Sequence, residues 1–257
     1  MSFRLSVCIV TNTIDDKLFQ TISSFKQEAF EICVGCNQLS ASEIAALEQK
    51  FPELRVVAMT WEGYGATKNK LAAVASSDWI LSIDSDEWAD RTLVKTLMSL
   101  TLENPRRVYA LQRMQRLGQH VIKHGSYGAP EWKPRLYNKW HVQWNLAKVH
   151  EELEYLDGSE LLDVQSVEGI LWHLTAENIA EVQEKNNHYA QLSAENMFQR
   201  GKSAHRLKPA MAAAMAFVKQ YFLKNGLLDG GIGLQLARES ARYTFLKYKF
   251  LRELQAR

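Results

Sequence analysis

Residues 79–87 constrain the fold of this chain more than any other segment, because an apolar run there ends in three carboxylates within four residues. The run from Trp79 to Ile83 has the length and composition of a buried β-strand. Burial strongly destabilises an unpaired carboxylate, so acids at the end of such a strand are expected to face a cation or a polar ligand. We therefore predict that Asp84 and Asp86 are ligands of Mg²⁺ or Mn²⁺, which prefer hard oxygen donors.

An alternative interpretation treats the same acids as the start of a helix. Asp86 is then the N-cap of a helix over residues 88–100, and Glu87 and Asp90 interact favourably with the helix dipole. The segment alone leaves both interpretations open.

Strand and helix patterns alternate along the first part of the chain. The predicted strands cover residues 5–11, 31–36, 54–59 and 79–83, and the predicted helices cover residues 15–25, 41–50 and 68–75. This alternation is typical of an α/β fold with a parallel sheet, in which ligands bind at the carboxyl ends of the strands. Thr11 and Asn12 follow one strand and Asp84 ends another, so we expect a nucleotide at this edge of the sheet.

The pattern changes further along the chain. Residues 108–172 contain short alternating segments broken by Gly and Pro, which indicates hairpins and substrate-binding loops. Helical patterns then cover residues 178–199, 209–225 and 234–254. We predict one domain over residues 1–175 and a helical extension over residues 176–257.

The net charge of +2 conceals an uneven distribution. Residues 200–257 contain twelve Lys and Arg against three Asp and Glu. We predict that this basic tail faces an anionic membrane surface, with helix packing or a homo-oligomer interface as the alternative. The first residues lack the pattern of a signal peptide, and the longest apolar run, residues 210–218, is too short to span a bilayer. The sequence thus predicts a cytoplasmic protein, at most peripheral on the inner face of the cytoplasmic membrane.

The cysteines and two of the histidines offer weaker signals. Cys8, Cys33 and Cys36 are odd in number and lie in strand-like segments, which favours reduced, buried thiols over a redox or metal role. His120 and His124 lie in an alternating segment typical of a hairpin, so we interpret them as structural rather than as metal ligands.

An ordered set of short motifs spans essentially the whole chain. They are Lys68-Asn69 in a helix, Asp78-Trp79, residues 84–87, Arg135-Leu136-Tyr137, residues 149–153, Trp172-His173, Lys185-Asn186 with Tyr189, and a tail from Pro209 to Tyr248. In this order and spacing the chain resembles the family 2 glycosyltransferases. It is most similar to the bacterial subgroup that adds sugars to the lipopolysaccharide inner core, the β-1,4-glucosyltransferases.

The resemblance implies a fold and an activity. The fold is of the GT-A type, a Rossmann-like, mostly parallel sheet with helices on both faces, followed by a hairpin acceptor region and a C-terminal helical extension. The activity is metal-dependent, inverting transfer of a sugar from a nucleotide-sugar donor, UDP-linked, to a lipopolysaccharide-core, other glycolipid or polysaccharide acceptor. Residues 1–175 form the donor-binding and catalytic domain, and His173 is a third metal ligand beside Asp84 and Asp86. No nucleic acid partner is expected.

Inverting transfer needs a carboxylate that accepts the acceptor proton. We predict that Glu151 is this base, with Glu152 as the competing candidate, because in an extended segment the two side chains point to opposite faces. The alternative is that both are solvated acids paired with Arg135 or Lys148. Lys68 and Arg135 are predicted diphosphate contacts, since cationic donors suit phosphate oxygens.

One segment departs from the family pattern. The family carries an acid-rich segment after the second strand, whose acids bind the base and ribose, whereas residues 35–40 here contain Asn37 and no acid. Asn37 offers a hydrogen bond to a base edge without a charge. The departure motivates a second hypothesis, a catalytically silent sugar-nucleotide or lipid-binding homologue. A third, a nucleotidyltransferase, is disfavoured because no Gly-rich, Arg-containing loop follows the first strand.

Overall fold

The structure is a computed structural model that describes residues 4–27, 30–128, 130–147 and 151–256. Its strands are β1 (Leu5–Thr11), β2 (Phe30–Asn37), β3 (Arg55–Met59), β4 (Trp79–Asp84), β5 (Glu87–Ala89), β6 (Arg107–Leu117), β7 (His120–Ile122), β8 (Glu131–Asn138), β9 (Val142–Trp144), β10 (Leu153–Tyr155) and β11 (Asp163–Ala176). Its α-helices are α1 (Asp16–Phe25), α2 (Ala41–Lys50), α3 (Tyr64–Val74), α4 (Arg91–Ser99), α5 (Gly125–Gly128), α6 (Ile179–Gln199), α7 (Lys208–Val218) and α8 (Gly230–Gln255). A π-helical segment (Lys219–Leu223) and a 3₁₀ segment (Gly226–Asp229) lie between α7 and α8.

The chain divides into two compact units. Unit 1 comprises Met1–Arg113 and Glu131–His173, and unit 2 comprises Met114–Pro130 and Leu174–Arg257. The predicted functional division at residue 175 stays a prediction. Residues 114–130 are grouped with the C-terminal helices, so unit 2 is not a single stretch of chain.

Eight of the described strands form a mixed sheet in the order β3-β2-β1-β4-β8-β6-β11-β5, whereas β9 and β10 pair with each other in a separate two-stranded sheet. Neighbouring pairs among β3, β2, β1 and β4 are parallel. Beyond β4, β8 is antiparallel to both β4 and β6, and β5 is antiparallel to β11. The predicted α/β class is confirmed, with the expected hairpin strands continuing the same sheet.

Burial explains why the central strands are almost continuously apolar. Val7 and Ile9 of β1 face one apolar core together with helices α1 and α4, whereas Cys8 faces a second core with Leu71 of α3. A parallel strand covered on both faces is expected to lack the alternation of apolar and polar residues. The sheet is therefore held between two layers.

The strand order places a crevice at the carboxyl ends of β1 and β4. β1 lies between β2 and β4, with Val10 opposite Asp84 and Thr11 opposite Cys36. After β1 the chain continues to β2 on one side in the strand order, whereas the strands that follow β4 lie on its other side, and such a reversal marks the ligand-binding crevice of α/β sheets. The predicted nucleotide residues lie at this edge.

An irregularity in β8 determines where Arg135 lies. Tyr109 of β6 pairs with Leu136, and the next residue, Ala110, pairs with Pro134, so Arg135 is the extra residue of a β-bulge. Bulges redirect a side chain and tolerate proline, which cannot donate to the ladder.

The segment after β4 differs from its helical interpretation. β5 follows the acids directly, and α4 begins only at Arg91. Its N-cap is Asp90, whose side chain accepts from the Leu93 N–H, so the interpretation of Asp86 as the N-cap was wrong. Asp86 instead lies in the turn between β4 and β5.

Unit 2 is mainly helical and has its own core. α8 packs against α6 and α7, and the apolar core contains Leu117, Ile122, Ala176, Val182 and Leu236. β7 pairs with the end of β6, which confirms the predicted hairpin. No helix in the described part of the chain is long and apolar enough to cross a bilayer.

The three cysteines are free and buried, as predicted. Burial raises the pKa of Cys36 to about 11, so its thiol is protonated at neutral pH. A protonated thiol is a poor nucleophile, which argues against a redox role for the Cys33 and Cys36 pair.

Candidate active site

A cavity of about 510 Å³ in unit 1 opens at the carboxyl ends of β1, β2 and β4. It is lined by Val10, Thr11, Asn12, Asn37, Gln38, Trp61, Tyr64, Lys68, Asp84, Ser85, Asp86, Glu151 and His173. We call it the first cavity. It brings together seven of the nine residues predicted for donor binding, catalysis and metal binding; the two that do not line it are Arg135 and Glu152.

Asp84 lies at the centre of an ion-pair network in this cavity. Its Oδ1 is 3.2 Å from Lys68 Nζ, and its Oδ2 accepts a hydrogen bond of 2.8 Å from Arg135 Nη2. Burial alone would raise the pKa of the Asp84 carboxyl, but Arg135 and Lys68 outweigh it and hold that pKa well below its ordinary value. Asp84 is therefore ionised at neutral pH.

Lys68 connects Asp84 to Glu151. Its Nζ donates to Glu151 Oε1 at 3.0 Å and lies 4.5 Å from the centre of the Trp144 ring. The side chain is only 5% exposed, and helix α3 supplies it from within its first two turns. A buried lysine needs such partners, because an unpaired ammonium is expensive to bury.

Arg135 and Glu87 extend the network below the cavity. Glu87 is fully buried; its Oε1 accepts from Arg135 Nη2 at 2.9 Å and from Arg113 Nη1 at 3.1 Å, and its Oε2 accepts from the Asp84 N–H at 3.1 Å. Burial opposes ionisation of Arg135, yet Asp84 and Glu87 raise the pKa of its guanidinium above the ordinary value. These contacts fix the position of Asp84.

Asp86 and His173 form a separate pair at the cavity wall. His173 Nε2 is 3.5 Å from Asp86 Oδ2, and β5 pairs with β11 so that His173 is opposite Glu87. A carboxylate oxygen and an imidazole nitrogen are suitable ligands for Mn²⁺. Within the described ranges, no group of three or more His, Cys, Asp and Glu side chains is clustered as a metal site. Asp86 and His173 are thus two neighbouring candidate ligands, while both oxygens of Asp84 contact cations.

A second cavity of about 480 Å³ adjoins the first through shared residues. It is lined by Asp84, Arg113, Trp132, Lys133, Pro134, Arg135, Trp144, Glu151, Glu152, Leu153 and Leu162. Asp84 and Glu151 line both cavities. Two compounds bound in the two cavities would therefore meet at these carboxylates.

Comparison with known proteins decides the family. The model of glycosyl transferase family 2 matches residues 6–152, more than half of the chain.

The chain belongs to glycosyl transferase family 2.

Similar curated proteins agree with this assignment. Uncharacterized glycosyltransferases of Rickettsia typhi and Rickettsia bellii are each 22% identical to this chain, over 98% of this chain and 87% of the relative. Among solved structures, Staphylococcus aureus TarS 1–349 in complex with UDP-GlcNAc is 14% identical, covers 99% of this chain and 92% of that chain, and gives a TM-score of 0.49. The predicted class, a family 2 glycosyltransferase, is confirmed by the family match.

The structure separates the two predicted base candidates of this glycosyltransferase. Glu151 is partly buried, lines both cavities and pairs with Lys68. Glu152 is exposed and lines only the second cavity, where its N–H donates to Asn145 Oδ1 at 3.3 Å. Lys148 and His150 lie outside the described residues, so the predicted pairing with Lys148 is not described.

The other predicted donor residues of the glycosyltransferase lie at the edge of the sheet. Thr11 is buried, and its hydroxyl donates to the Thr13 carbonyl at 2.6 Å, while Asn12 is exposed at the mouth of the first cavity. Arg135 lines the second cavity instead of the first. Its role as a diphosphate contact stays a prediction.

The end of β2 contains a buried side-chain oxygen that lacks a hydrogen-bond partner among the described residues. Asn37 is 5% exposed, and its Oδ1 finds no hydrogen-bond donor among the described residues. The next residue, Gln38, has a φ of 59°, which a residue other than glycine rarely adopts. Both residues line the first cavity, and strained backbone of this kind is concentrated at functional sites.

Sequence reasoning missed an aromatic pair in the glycosyltransferase. Trp61 and Tyr64 line the first cavity with ring centres 4.7 Å apart in an edge-to-face arrangement. They flank Gly63, whose φ is 98°, in the loop between β3 and α3. Two aromatic residues around a glycine at the carboxyl end of a predicted strand were a usable signal. Arg113 and Trp132 in the second cavity had no local signal of this kind.

Proposed function

We propose that this glycosyltransferase moves a sugar from a UDP-sugar, bound in the first cavity, to an acceptor hydroxyl presented in the second cavity. The observation that carries the proposal is that Asp84 and Glu151 line both cavities, with Lys68 paired to both carboxylates. A reaction between two substrates requires their reacting atoms to meet in a fixed geometry. The shared wall supplies such a meeting point.

The donor base is assigned to the end of β2. The unpaired Oδ1 of Asn37 calls for an N–H donor, and the N3–H of uracil is one. Trp61 and Tyr64 offer aromatic surface for the base or the ribose. Thr11 and Asn12 lie at the same edge, and Asp84 positions Lys68 for the diphosphate.

A divalent cation is proposed at Asp86 and His173, with Asp84 retained as a predicted ligand. When bound, such an ion offsets the negative charge that develops on the departing diphosphate. The chain would supply the carboxylate of Asp86 and the imidazole of His173 from neighbouring strands. Lys68 adds a fixed positive charge at the same wall of the cavity.

Glu151 is the proposed general base for inverting transfer. The acceptor oxygen forms a bond to the anomeric carbon on the face opposite the diphosphate, the bond from that carbon to the diphosphate oxygen breaks, and the acceptor proton passes to the carboxylate. Lys68 holds Glu151 through its 3.0 Å contact. A positioned general base contributes about 10²- to 10⁴-fold to the rate.

The proposal also includes the class of acceptor and the cellular location. We propose a hexosyl transfer to a lipopolysaccharide-core, other glycolipid or polysaccharide acceptor, as in the lipopolysaccharide inner-core β-1,4-glucosyltransferase subgroup that the motifs resemble. The half-exposed Trp132 offers a stacking surface for a sugar ring in the second cavity. The protein would act in the cytoplasm, at the inner face of the cytoplasmic membrane.

Calorimetric titration tests donor binding apart from chemistry. Wild-type protein is expected to bind UDP more tightly with Mn²⁺ than without it, and Asp86→Asn is expected to lose the Mn²⁺-dependent part because the amide lacks the charge that holds the ion. Unchanged Mn²⁺-dependent affinity in Asp86→Asn would contradict the metal assignment. UDP binding without turnover of any UDP-sugar would favour the hypothesis of a catalytically silent homologue. That hypothesis is based on Asn37, which lies where the family carries an acid.

Turnover of UDP-sugars, measured as transfer or hydrolysis, tests the base. Glu151→Gln is expected to lower turnover by about 10²-fold or more with little change in UDP affinity, because the proton acceptor matters in the transition state. Glu152→Gln is the matched control, since it lies beside Glu151 and lines only the second cavity. A loss on Glu152→Gln with none on Glu151→Gln would transfer the role to Glu152.

A further inference from the structure

A long basic stretch without acids crosses unit 2. Residues 196–228 contain six Lys and Arg and no Asp or Glu. The stretch includes the end of α6, all of α7, the π-helical segment, and the 3₁₀ segment up to the residue before Asp229. Its cations are Arg200, Lys202, Arg206, Lys208, Lys219 and Lys224.

The same stretch exposes an unusual amount of apolar surface. Leu207, Met211 and Met215 recur at intervals of four residues, so they lie on one face of α7, and the two methionines are 61% and 63% exposed. Further exposed apolar side chains follow. The full set, which we call the apolar stripe, is Leu207, Met211, Met215, Val218, Phe222, Leu223, Leu227 and Leu228.

Buried polar contacts hold the stripe in place within unit 2. Gln220, the second residue of the π-helical segment, is 2% exposed, and its Oε1 accepts from the Ser126 N–H at 2.7 Å. The Gly125 N–H donates to the Lys224 carbonyl at 2.9 Å. Asp229 Oδ2 accepts from the His124 N–H at 2.9 Å. The exposed side chains therefore belong to a fixed segment and not to a frayed terminus.

We infer that the apolar stripe and its basic neighbours form a surface that binds the interface of an anionic phospholipid bilayer. Exposed apolar patches of this extent mark interaction sites in soluble proteins. Aliphatic and aromatic side chains beside Lys and Arg, without acids, are the composition of interfacial membrane-binding helices. The segment lies along the surface, since no described helix is suited to crossing a bilayer.

Charge favours a membrane over a second copy of the chain. A symmetric contact through the stripe would place the basic stretch of one copy against that of the other, with no acid in either stretch to neutralise Lys208, Lys219 and Lys224. An anionic leaflet instead attracts each of these side chains, and each one that engages is expected to strengthen binding about fivefold. Membrane binding by this surface is independent of the proposed function. The role that we give it, which is to bring the enzyme to a lipid-linked acceptor, rests on the proposed function.

Vesicle co-sedimentation of the full chain, without donor, tests the inference. Vesicles of phosphatidylglycerol and phosphatidylcholine are compared with phosphatidylcholine alone, at low and high NaCl. We expect binding to the anionic vesicles at low salt and at least about tenfold weaker binding at high salt, since salt screens the basic side chains. A protein that ignores anionic vesicles at low salt would overturn the inference.

A triple variant tests the apolar stripe itself. Met211→Gln, Met215→Gln and Leu223→Gln together keep unbranched or helix-compatible side chains but remove apolar area, and we expect about tenfold or greater loss of vesicle affinity. Leu161→Gln, which changes an 87% exposed leucine of unit 1, is the matched control and should bind like the wild type. Thermal unfolding confirms that both variants are folded.

Two further outcomes would contradict membrane binding by the apolar stripe. Equal loss in the triple variant and in Leu161→Gln would overturn the role of the stripe. A wild-type dimer that the triple variant dissociates, without vesicle binding by either, would assign the stripe to self-association. Mn²⁺-dependent UDP binding is measured on the same samples, so failure on vesicles and failure of the proposed donor site are distinguished.

Discussion

At the scale of single residues, Asp84 connects the two cavities through its ion pairs. Each of its oxygens contacts a buried cation, Lys68 or Arg135, and Glu87 completes the set from below. The sequence predicted Asp84 as a metal ligand or donor contact. Its described contacts give it a further task, which is to hold two cations at the wall between the cavities.

Asp84→Asn is expected to lower the free energy of unfolding by about 1–3 kcal/mol, because Lys68 and Arg135 lose a charged partner while remaining buried. We place the range below that of a fully buried pair, since the Asp84 side chain is 38% exposed and water screens part of the interaction. Denaturant titration measures the change. Asp86→Asn is the control, being equally exposed, and should change stability by less than about 0.5 kcal/mol. Equal destabilisation by both variants would contradict this account.

The depressed pKa of Asp84 predicts a pH dependence. The ionised carboxylate stabilises the fold at every pH above the unfolded value of about 4, and this contribution is lost as the pH falls below that value toward the folded pKa. The difference in unfolding free energy between wild type and Asp84→Asn should therefore be similar at about pH 7 and pH 5 and smaller at about pH 3. Glu31 and Glu131, whose pKa values are also lowered, are common to both proteins and cancel. A difference that grows in acid would refute the assignment.

At the scale of elements, helix α3 and the segment after β9 are held in close contact. A Cβ at Gly65 would lie 1.9 Å from the Asn145 carbonyl oxygen. Asn69 Nδ2 donates to the Trp144 carbonyl at 2.8 Å, and the Asn145 N–H donates to the Glu152 carbonyl at 2.8 Å. The helix that carries Lys68 thus also positions the segment that leads to the candidate base.

Gly65→Ala is expected to destabilise the protein by about 1–3 kcal/mol and to lower turnover, because the Asn145 backbone must move away from α3. Alanine has the higher helix propensity, so propensity alone predicts the opposite sign. Gly231→Ala, in the first turn of α8, is the control, since a Cβ there meets nothing within 4 Å. It should be neutral or stabilising by up to about 1 kcal/mol. Thermal unfolding of the two variants checks the contrast, and similar effects at both glycines would argue against a packed contact at Gly65.

Local signals were sufficient for much of the fold. The caps of α1, α2 and α6 are Asp15, Ser40 with Glu43, and Asn178, and each forms its hydrogen bonds within three residues of itself. Such contacts are visible in the sequence because they do not depend on the rest of the chain. The alternation of the first four strands and their helices was predictable for the same reason.

Long-range contacts explain what the sequence left open. β5 pairs with β11 across about eighty residues, and this pairing, with no local signature, turns the segment after Asp86 into a strand before α4 begins. The bulge that carries Arg135 arises in the pairing of β8 with β6. The acids, Lys68 and Glu151 were predicted from motifs. Arg113 was not, because it lies in no such motif and its ion pairs with Glu87 and Glu131 form only in the folded chain.

At the scale of the whole molecule, the two units interleave along the chain. The boundaries fall after residues 113, 130 and 173, and residues 114–130 contribute Leu117, Ile122 and Tyr127 to the apolar cluster of unit 2. The sequence predicts a single boundary at residue 175, where the pattern changes from alternating to helical. A cut there would remove Val182 and Leu236, on which those three side chains pack.

Two designed fragments, one with and one without residues 114–130, test this organisation. Arg113 and Glu131 are opposite each other in the pairing of β6 with β8, so a two-residue Asn-Gly turn can join them and replace residues 114–130. The fragment of residues 1–113, Asn-Gly and 131–173 is expected to be monomeric and resistant to trypsin. The plain truncation 1–173 is expected to aggregate and bind a hydrophobic dye, because it keeps Leu117, Ile122 and Tyr127 without their partners.

Since the described lining residues of both cavities belong to unit 1, the joined fragment should also retain Mn²⁺-dependent UDP affinity to within about threefold, as the proposed function requires. Size-exclusion chromatography, dye binding and calorimetry measure these properties. If the joined fragment aggregates as readily as the plain truncation, unit 1 does not fold independently of unit 2. If the joined fragment folds but no longer binds UDP, the result contradicts the proposed donor site and not the division into units.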